Sequence, residues 1–206
     1  MKVLAILSNK GGAGKTTLAL SLAVAAVEKG KTAAVIDVDP QASAAEWGDG
    51  RESDEPAVVS AQATRLAPVL KEAEKSEVDL VVIDTPPRSE DSTMRSARAA
   101  DFCLLVARPS IYDLRALSNS ADVLALAGVP GAVVLNAVPP QGSHGDEAQA
   151  ALEGFGLEVV PLRVVSRAAH YNSAISSQTA IGFEPHGKAA IEIRDLYEWV
   201  SKRLWG

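Results

Sequence analysis

Cysteine is nearly absent from this sequence of 206 residues, in which Cys103 stands alone. A single thiol excludes a disulfide framework, a zinc site built on cysteines and an iron–sulfur cluster held within one chain. Because Cys103 lies in the apolar run Phe102–Ala107, we expect a small buried hydrophobe rather than a reactive group. Aromatic residues make up only 4% of the chain. This content disfavours RNA binding by base stacking and, with abundant Ala, Val and Leu, favours helices packed on a buried sheet.

Long apolar runs are also lacking, and none approaches the roughly 18 residues that a membrane-spanning helix needs. The start, Met1 to Leu4, is too short an apolar stretch for a signal peptide. We therefore expect a cytoplasmic protein without a transmembrane segment. The chain has 20 basic and 26 acidic residues, a net charge of −6. The whole molecule thus lacks the positive charge of a constitutive nucleic-acid binder, and any DNA contact must be a local patch.

What the sequence does contain is an alternation of apolar runs with segments of helix-forming residues. The predicted strands are Val3–Leu7, Ala33–Val38, Asp79–Ile83, Phe102–Ala107, Ala132–Asn136 and Leu157–Pro161. The predicted helices are Thr16–Lys29, capped by Gly30, then Gln62–Lys75, Leu114–Ala127, Asp146–Phe155 and Lys188–Leu204. Residues 39–61 are a variable stretch with turn residues at Ser53–Pro56. The alternation predicts an α/β fold, a mostly parallel twisted sheet with helices on both faces, in one domain over residues 1–206.

A glycine-rich loop joins the first predicted strand to the first predicted helix. Its residues are Lys10, Gly11, Gly12, Ala13, Gly14, Lys15, Thr16 and Thr17. Glycines let backbone N–H groups approach phosphates, Lys15 can neutralise β- and γ-phosphate oxygens, and Thr16 can bind Mg²⁺. The usual pattern has glycine where this chain has Asn9. A turn without a ligand is the alternative, but its two lysines would repel each other unless an anion lay between them.

Three acidic residues follow predicted strands, at the sheet edge where ligands bind. Asp37 and Asp39 end Val-Ile-Asp-Val-Asp, two residues apart and hence on the same side, and Asp84 ends Leu-Val-Val-Ile-Asp. Each of them alone is also explained as a solvated turn or a helix cap. Beside a phosphate loop they predict ligands for Mg²⁺ and a residue that activates water.

The form and order of these motifs resemble the ParA/MinD family of P-loop ATPases, which have a deviant Walker A loop. The resemblance implies that the chain binds ATP or ADP with Mg²⁺ and hydrolyses ATP. It implies that Asp39 activates the attacking water and that Asp37 has a supporting role beside Asp39. It also implies that Thr16, Asp39 and Asp84 bind the metal. The Thr-Pro-Pro that follows Asp84 resembles the family's switch II, which senses the γ-phosphate.

The same resemblance implies that Lys10 crosses to the phosphates of a second subunit, so that two ATP molecules are held within a homodimer. With ATP gone, the two loops would face each other with uncompensated positive charge, so hydrolysis would favour separation. The catalytic candidates are therefore Lys10, Lys15 and Asp39.

Two residues are candidates for the base. By resemblance, Asn136 at a strand end reads the adenine edge and Pro161 flanks the ring, although an asparagine there is also explained as a structural cap. Arg108-Pro109-Ser110-x-x-Asp113 matches a family segment near the nucleotide and the dimer interface, with no chemistry assigned to it.

Members of the short ParA type lack an N-terminal helix-turn-helix, and none fits before Val3. Their ATP-bound dimers bind DNA without sequence preference, through basic residues toward the C-terminus. The candidates for such contacts here are Arg163, Arg167, Lys188, Arg194, Lys202 and Arg203. Ordinary surface charge explains these residues about as well, and the acidic total predicts weak, salt-sensitive binding.

The resemblance thus implies a nucleoid-associated ATPase that positions a plasmid, a chromosome or a protein cargo and is stimulated by a cargo-bound adaptor protein. The alternative is a MinD-like, membrane-associated regulator of division. Against membrane binding, one stripe of the last predicted helix is expected to be a core face; its residues are Ile193, Leu196, Tyr197, Val200 and Leu204. A nitrogenase-reductase relative would need four cluster cysteines from a symmetric pair, and a ligase would need a substrate pocket for which no signature is found.

Overall fold

The computed structural model describes residues 1–8, 10–87, 89–152, 154 and 156–206, without the side chains of residues 115, 116, 118 and 119. The strands are β1 (Lys2–Leu7), β2 (Ala33–Asp37), β3 (Ala57–Ser60), β4 (Leu80–Asp84), β5 (Phe102–Ala107), β6 (Gly131–Val138) and β7 (Glu158–Val165). The helices are α1 (Lys15–Glu28), α2 (Ser43–Asp49), α3 (Leu66–Lys75), α4 (Glu90–Ala99), α5 (Ile111–Ala127), α6 (His144–Leu152), α7 (Ala168–Ile175), α8 (Ala180–Phe183) and α9 (Lys188–Trp205). Asn9 and the predicted helix end at Phe155 lie outside the described residues.

The seven strands form one sheet in the order β3-β2-β4-β1-β5-β6-β7, and every pairing is parallel. β1 is central, with Ile6 opposite Asp84 of β4, and Asp84 is in turn opposite Asp37 of β2. The carboxyl ends of these strands therefore meet at one edge. The glycine-rich loop leaves β1 at this edge and leads into α1. The predicted α/β class with a parallel sheet is confirmed.

Helices cover both faces of the sheet, because its apolar side chains alternate between them. Leu4 and Ile6 point to the face covered by α1 and α9, where they join one buried cluster. Val3, Ala5 and Leu7 belong to a second cluster with side chains of α3, α5 and α6. Cys103 lies in this second cluster and is buried, as expected, and burial raises the pKa of its thiol to about 12.

Five elements were not predicted from the sequence. Residues 39–61 contain α2 and the edge strand β3, which has four residues and is mostly exposed. α4 buries only the small side chains Thr93, Ser96 and Ala97, so it has no stripe of large apolar residues that would predict a helix. α7 and α8 are short helices between β7 and α9. In all five, contacts within the tertiary structure outweigh the weak local pattern.

The end of the predicted strand Leu157–Pro161 was wrong, because β7 continues to Val165. Pro161 lies inside this strand, which is tolerated because β7 is an edge strand and pairs only with β6. β6 and β7 also change register between Val133 and Leu135. The carboxyl end of β7 is thus four residues beyond Pro161.

The predicted core stripe of α9 is confirmed, since its five residues are all buried; they are Ile193, Leu196, Tyr197, Val200 and Leu204. The helix packs against α1 and β7. Its apolar face is therefore used inside the domain. Across the described residues, none of the helices combines the length and the apolar character needed to traverse a bilayer.

Candidate functional site

The loop between β1 and α1 depends on glycine for its shape. Gly12 and Gly14 have φ of 71° and 94°, in the left-handed region that side chains disfavour. A Cβ at Gly14 would also collide with Nδ2 of Asn136. Gly30 likewise has φ of 77° and ends α1 as predicted. The loop therefore needs glycine at positions 12 and 14 to follow this path.

Lys15 begins α1 and is buried, with 6% of its surface exposed. Burial lowers the pKa of its ammonium group, while the nearby carboxylates of Asp84 and Asp39 act in the opposite direction. A lysine held this way is a poorly solvated cation among acids. An additional anion would stabilise such a cation strongly. The predicted role of Lys15, binding of phosphate oxygens, supplies that anion.

Asp84 lies at the end of β4 and accepts a hydrogen bond from Thr16 Oγ1 at 2.6 Å. Its other oxygen, Oδ1, is buried and has no hydrogen-bond partner among the described residues. Burial raises the pKa of this carboxyl group to about 7, against the Thr16 hydrogen bond, which lowers it, and the Asp37 carboxylate also raises it. A buried carboxylate oxygen without a partner fits a cation ligand.

The described residues contain no cluster of three or more His, Cys, Asp or Glu side chains that could hold a metal by themselves. Mg²⁺ usually takes one or two carboxylates, with phosphate oxygens and water as its other ligands. Thr16 and Asp84 supply a donor set of this size. Mg²⁺ would therefore need phosphate oxygens as further ligands beside Thr16 and Asp84.

Asp37 and Asp39, which were expected on the same side, have different surroundings. Asp37 is fully buried; its Oδ1 accepts from the Asp39 backbone N–H at 2.9 Å, and its Oδ2 accepts from the N–H groups of Ala44 and Ala45 at 2.9 and 3.2 Å. Asp37 thus holds the first turn of α2. Asp39 is half-buried, with Oδ1 accepting from the Gln41 backbone at 3.0 Å. Asp37 positions the segment that carries Asp39, which fits the predicted supporting role.

Asn136 ties β6 to the glycine-rich loop. It is 8% exposed, and its Nδ2 donates to the carbonyl oxygen of Ala13 at 2.7 Å. This contact is the structural role that the sequence left open, and the reading of adenine stays a prediction. Pro161 does not join this group, because it lies in the middle of β7. The structure therefore gives no support to Pro161 as a neighbour of the base.

Lys10 has an acidic partner within its own chain. Its Nζ lies 3.5 Å from Oδ1 of Asp113 and 5.4 Å from the ring centre of Tyr112, both in the first turn of α5. Asp113 is buried, whereas 70% of Tyr112 is exposed. The sequence indicates the segment of Asp113 through its resemblance to the family but assigns the acid no role. The structure shows that Asp113 is the partner of Lys10.

The segment after Asp84 also packs on the loop. Thr85 Oγ1 donates to the Ile6 carbonyl oxygen at 2.8 Å and is buried. Pro87 lies 4.0 Å from the position that a Cβ on Gly11 would take. A change in this segment would therefore reach the loop directly, although sensing of the γ-phosphate stays a prediction.

The six candidates for DNA contacts divide into two groups. Four arginines form ion pairs; these are Arg163–Asp146, Arg167–Glu192, Arg194–Glu28 and Arg203–Glu158. Lys188 and Lys202 are exposed, and neither forms an ion pair with the described side chains. The two lysines are therefore the freer cations of the set.

Replacing Asn136 by alanine should destabilise the protein without nucleotide. The change leaves the buried Ala13 carbonyl without its donor, which costs about 1–3 kcal/mol. Thermal unfolding of Asn136→Ala should show a lower midpoint, and Asn172→Ala, at an exposed position of α7, is the control. An unchanged midpoint would show that the contact contributes nothing to the fold.

Without metal, the raised pKa of Asp84 should make stability depend on pH. The folded protein holds this proton up to about pH 7, whereas the unfolded chain loses it near pH 4, so the buried carboxyl group costs stability as pH rises through that window. Asp84→Asn should therefore gain stability over the parent from pH 4 to 7, by a few kcal/mol, and gain little more above pH 7. Chemical denaturation in EDTA measures this difference. For the exposed Asp91→Asn, the difference in unfolding free energy from the parent should change much less with pH. A difference for Asp84→Asn that stays constant from pH 4 to 7 would contradict the buried charge.

Comparison with known proteins identifies the family of this chain. Residues 4–181 match the family described as the CobQ/CobB/MinD/ParA nucleotide binding domain. The chain is 32% identical over 209 residues to maintenance of carboxysome distribution protein A from Gloeobacter kilaueensis, covering 98% of this chain and 94% of that protein.

Two solved structures share the fold. The septum site-determining protein MinD with Mg-ADP from Pyrococcus horikoshii superposes with a TM-score of 0.77 at 21% identity, covering 98% of this chain and 96% of the other. The ATP complex of a McdA variant from Cyanothece gives a TM-score of 0.78 at 18% identity, again covering 98% and 96%. From the matched residues, the chain belongs to the CobQ/CobB/MinD/ParA nucleotide-binding family.

Proposed function

We propose that this chain is a ParA-like Mg-ATPase that dimerises on binding ATP, binds nonspecific DNA as the dimer and positions a cargo. The observation that carries the proposal is the pair formed by Thr16 and Asp84 beside the buried Lys15. One Asp84 oxygen holds Thr16, and the other is buried without a partner among the described residues. This arrangement suits a site where a metal and a phosphate meet.

In this proposal the loop from Lys10 to Thr17 binds the triphosphate of ATP. Lys15 neutralises the β- and γ-phosphate oxygens, while the backbone N–H groups of the loop and of the first turn of α1 donate to the phosphates. Thr16 and Asp84, with Asp39 nearby, would hold Mg²⁺, which supplies charge neutralisation at the phosphates when bound. Asn136 Oδ1 remains as an acceptor for the amino group of adenine, because Nδ2 is bonded to the loop.

Asp39 is the proposed residue for water activation. It is half-buried and close enough to Lys15 to influence the pKa of that lysine. Asp37 fixes the backbone at both ends of its segment, through the Asp39 N–H and the first turn of α2. A carboxylate on an anchored but partly solvated segment can orient a water molecule and accept its proton.

Dimerisation would require Lys10 to exchange partners. Its ammonium group lies beside Asp113 of its own chain. Reaching the phosphates of a second subunit means leaving this acid for a more highly charged anion. When the γ-phosphate is lost, that attraction weakens, and the return of Lys10 to Asp113 favours separation of the subunits.

Two substitutions separate binding from turnover. Lys15→Ala should abolish ATP binding in calorimetry, because the β- and γ-phosphates lose their buried cation. Asp39→Ala should still bind ATP but hydrolyse it at least about 100-fold more slowly, the usual scale for loss of a general base. Size-exclusion chromatography with Mg-ATP should then show a persistent dimer. Hydrolysis by Asp39→Ala at the parent rate would refute the assignment of Asp39.

The proposed role in the cell is positioning. The relative from Gloeobacter kilaueensis is named for carboxysome distribution, and the family includes ParA. We therefore propose a nucleoid-associated protein in the cytoplasm, whose hydrolysis is stimulated by a cargo-bound adaptor. The cargo is a plasmid, a chromosome or a protein assembly.

Binding of random-sequence DNA should require ATP and depend on the free lysines. In mobility-shift assays, the parent should shift DNA with ATP but not with ADP or without nucleotide. Lys188→Ala combined with Lys202→Ala should weaken the shift about tenfold, since each lost phosphate contact reduces affinity and its salt dependence. Lys71→Ala, at an exposed position of α3, is the control.

Two outcomes would contradict this part of the proposal. A shift that ignores nucleotide would remove the proposed switch. Pelleting with anionic liposomes in ATP, without any DNA shift, would instead support the membrane-associated alternative.

A further inference from the structure

A third cation lies over the glycine-rich loop. Arg108 is the first residue after β5, whose last residue, Ala107, pairs with Leu135 of β6. This register places Arg108 at the level of Asn136, which is bonded to the loop. A Cβ added to Gly12 would lie only 3.3 Å from Arg108 Nη2. The guanidinium group therefore rests directly against the middle of the loop.

The described side chains around Arg108 do not account for this position. Arg108 is exposed and forms no ion pair with the described side chains. The acid of its own segment, Asp113, lies beside Lys10 instead. Lys15 lies among Asp84 and Asp39. Arg108 therefore adds a guanidinium cation beside a loop that already has two lysines.

Lys10 has Asp113 beside it and Lys15 has Asp84 and Asp39, so of the three cations around the loop Arg108 is the one without an acid among the described ion pairs, and a bound anion would offset its charge. A guanidinium group presents paired N–H donors that match two oxygens of a phosphate. The last residue of β5 is fully within the sheet, so the backbone of Arg108 is positioned by the strand and not by the loop. Its side chain can therefore bind a phosphate with little reorganisation of the backbone.

We propose that Arg108 is a phosphate-binding residue of the nucleotide site and makes the site prefer ATP to ADP. The inference rests on the proposed function, because it assumes a triphosphate in the loop. The preference follows from charge, since ATP brings one more phosphate and one more negative charge than ADP to a site with a third cation. Arg108 is thus a determinant of nucleotide specificity that neither lysine of the loop supplies.

Calorimetric titration of the full chain with Mg-ATP and with Mg-ADP tests this proposal. Arg108→Gln should weaken Mg-ATP binding about tenfold, the scale of one charge-assisted hydrogen bond, and weaken Mg-ADP binding less. Arg108→Lys should recover part of the loss, because it keeps the charge without the paired donors. Thermal unfolding of each variant establishes that it is folded.

Arg98→Gln is the matched control. Arg98 is exposed and lies in the last turn of α4, which ends at the edge of the sheet opposite the loop. The substitution removes one arginine charge from the surface far from the site. The affinities of Arg98→Gln for both nucleotides should stay within about twofold of the parent. This is well below the tenfold change expected from the loss of one charge-assisted hydrogen bond.

The outcomes distinguish this inference from the function on which it rests. Failure of the parent itself to bind Mg-ATP would overturn the proposed function. Binding by the parent with unchanged affinities in Arg108→Gln would overturn only the role of Arg108, and so would equal losses for Mg-ATP and Mg-ADP, which remove the preference. A weaker DNA shift in Arg108→Gln with unchanged nucleotide affinity would assign Arg108 to nucleic-acid phosphates instead.

Discussion

The buried carboxyl group of Asp84 is the constraint around which the site is built. The sheet register sets it opposite Ile6 on one side and opposite Asp37 on the other. Two acids and the start of the glycine-rich loop are therefore brought together by backbone pairing alone. Charges in such a poorly solvated place are costly unless they are matched. Lys15 and Thr16 match them only in part, which leaves the site suited to a cation and an anion that arrive together.

The segment after β2 is anchored at both ends, which gives Asp39 a defined but adjustable position. Asp37 holds the first turn of α2. At the other end of this helix, Trp47 Nε1 donates to the Gln178 carbonyl oxygen at 3.2 Å, in the turn between α7 and α8. The short helix thus links the proposed water-activating residue to a distant surface turn. A shift of Asp37 would reach Asp39 directly through its backbone N–H, whereas a shift of the turn at Gln178 would have to pass along α2.

The sequence was sufficient for the parts of the structure whose signal is local. The central strands, α1 and α9 have strong apolar patterns, and the glycine spacing identified the loop. What could not be predicted depends on contacts between residues far apart in the chain. The Asn136 bond to Ala13 joins residues 123 positions apart, and nothing near Asn136 in the sequence indicates it. The pairing of Lys10 with Asp113 could not be predicted either, because the sequence marks Asp113 only through the family match of its segment. The polar helix α4 has hardly any apolar face of its own to indicate it.

The short connection from β5 to α5 also shows how one element can control the charge of another. It begins with Arg108, a cation against Gly12, and five positions later the first turn of α5 carries Asp113, the acid that pairs with Lys10. Arg108 adds positive charge to the loop, while Asp113 neutralises part of it. A movement of α5 relative to β5 would change the balance of the two, and the loop would become more positive if Asp113 withdraws while Arg108 stays with its strand. The electrostatic field at the loop therefore depends on the position of α5, an element outside the three motifs that identify the site.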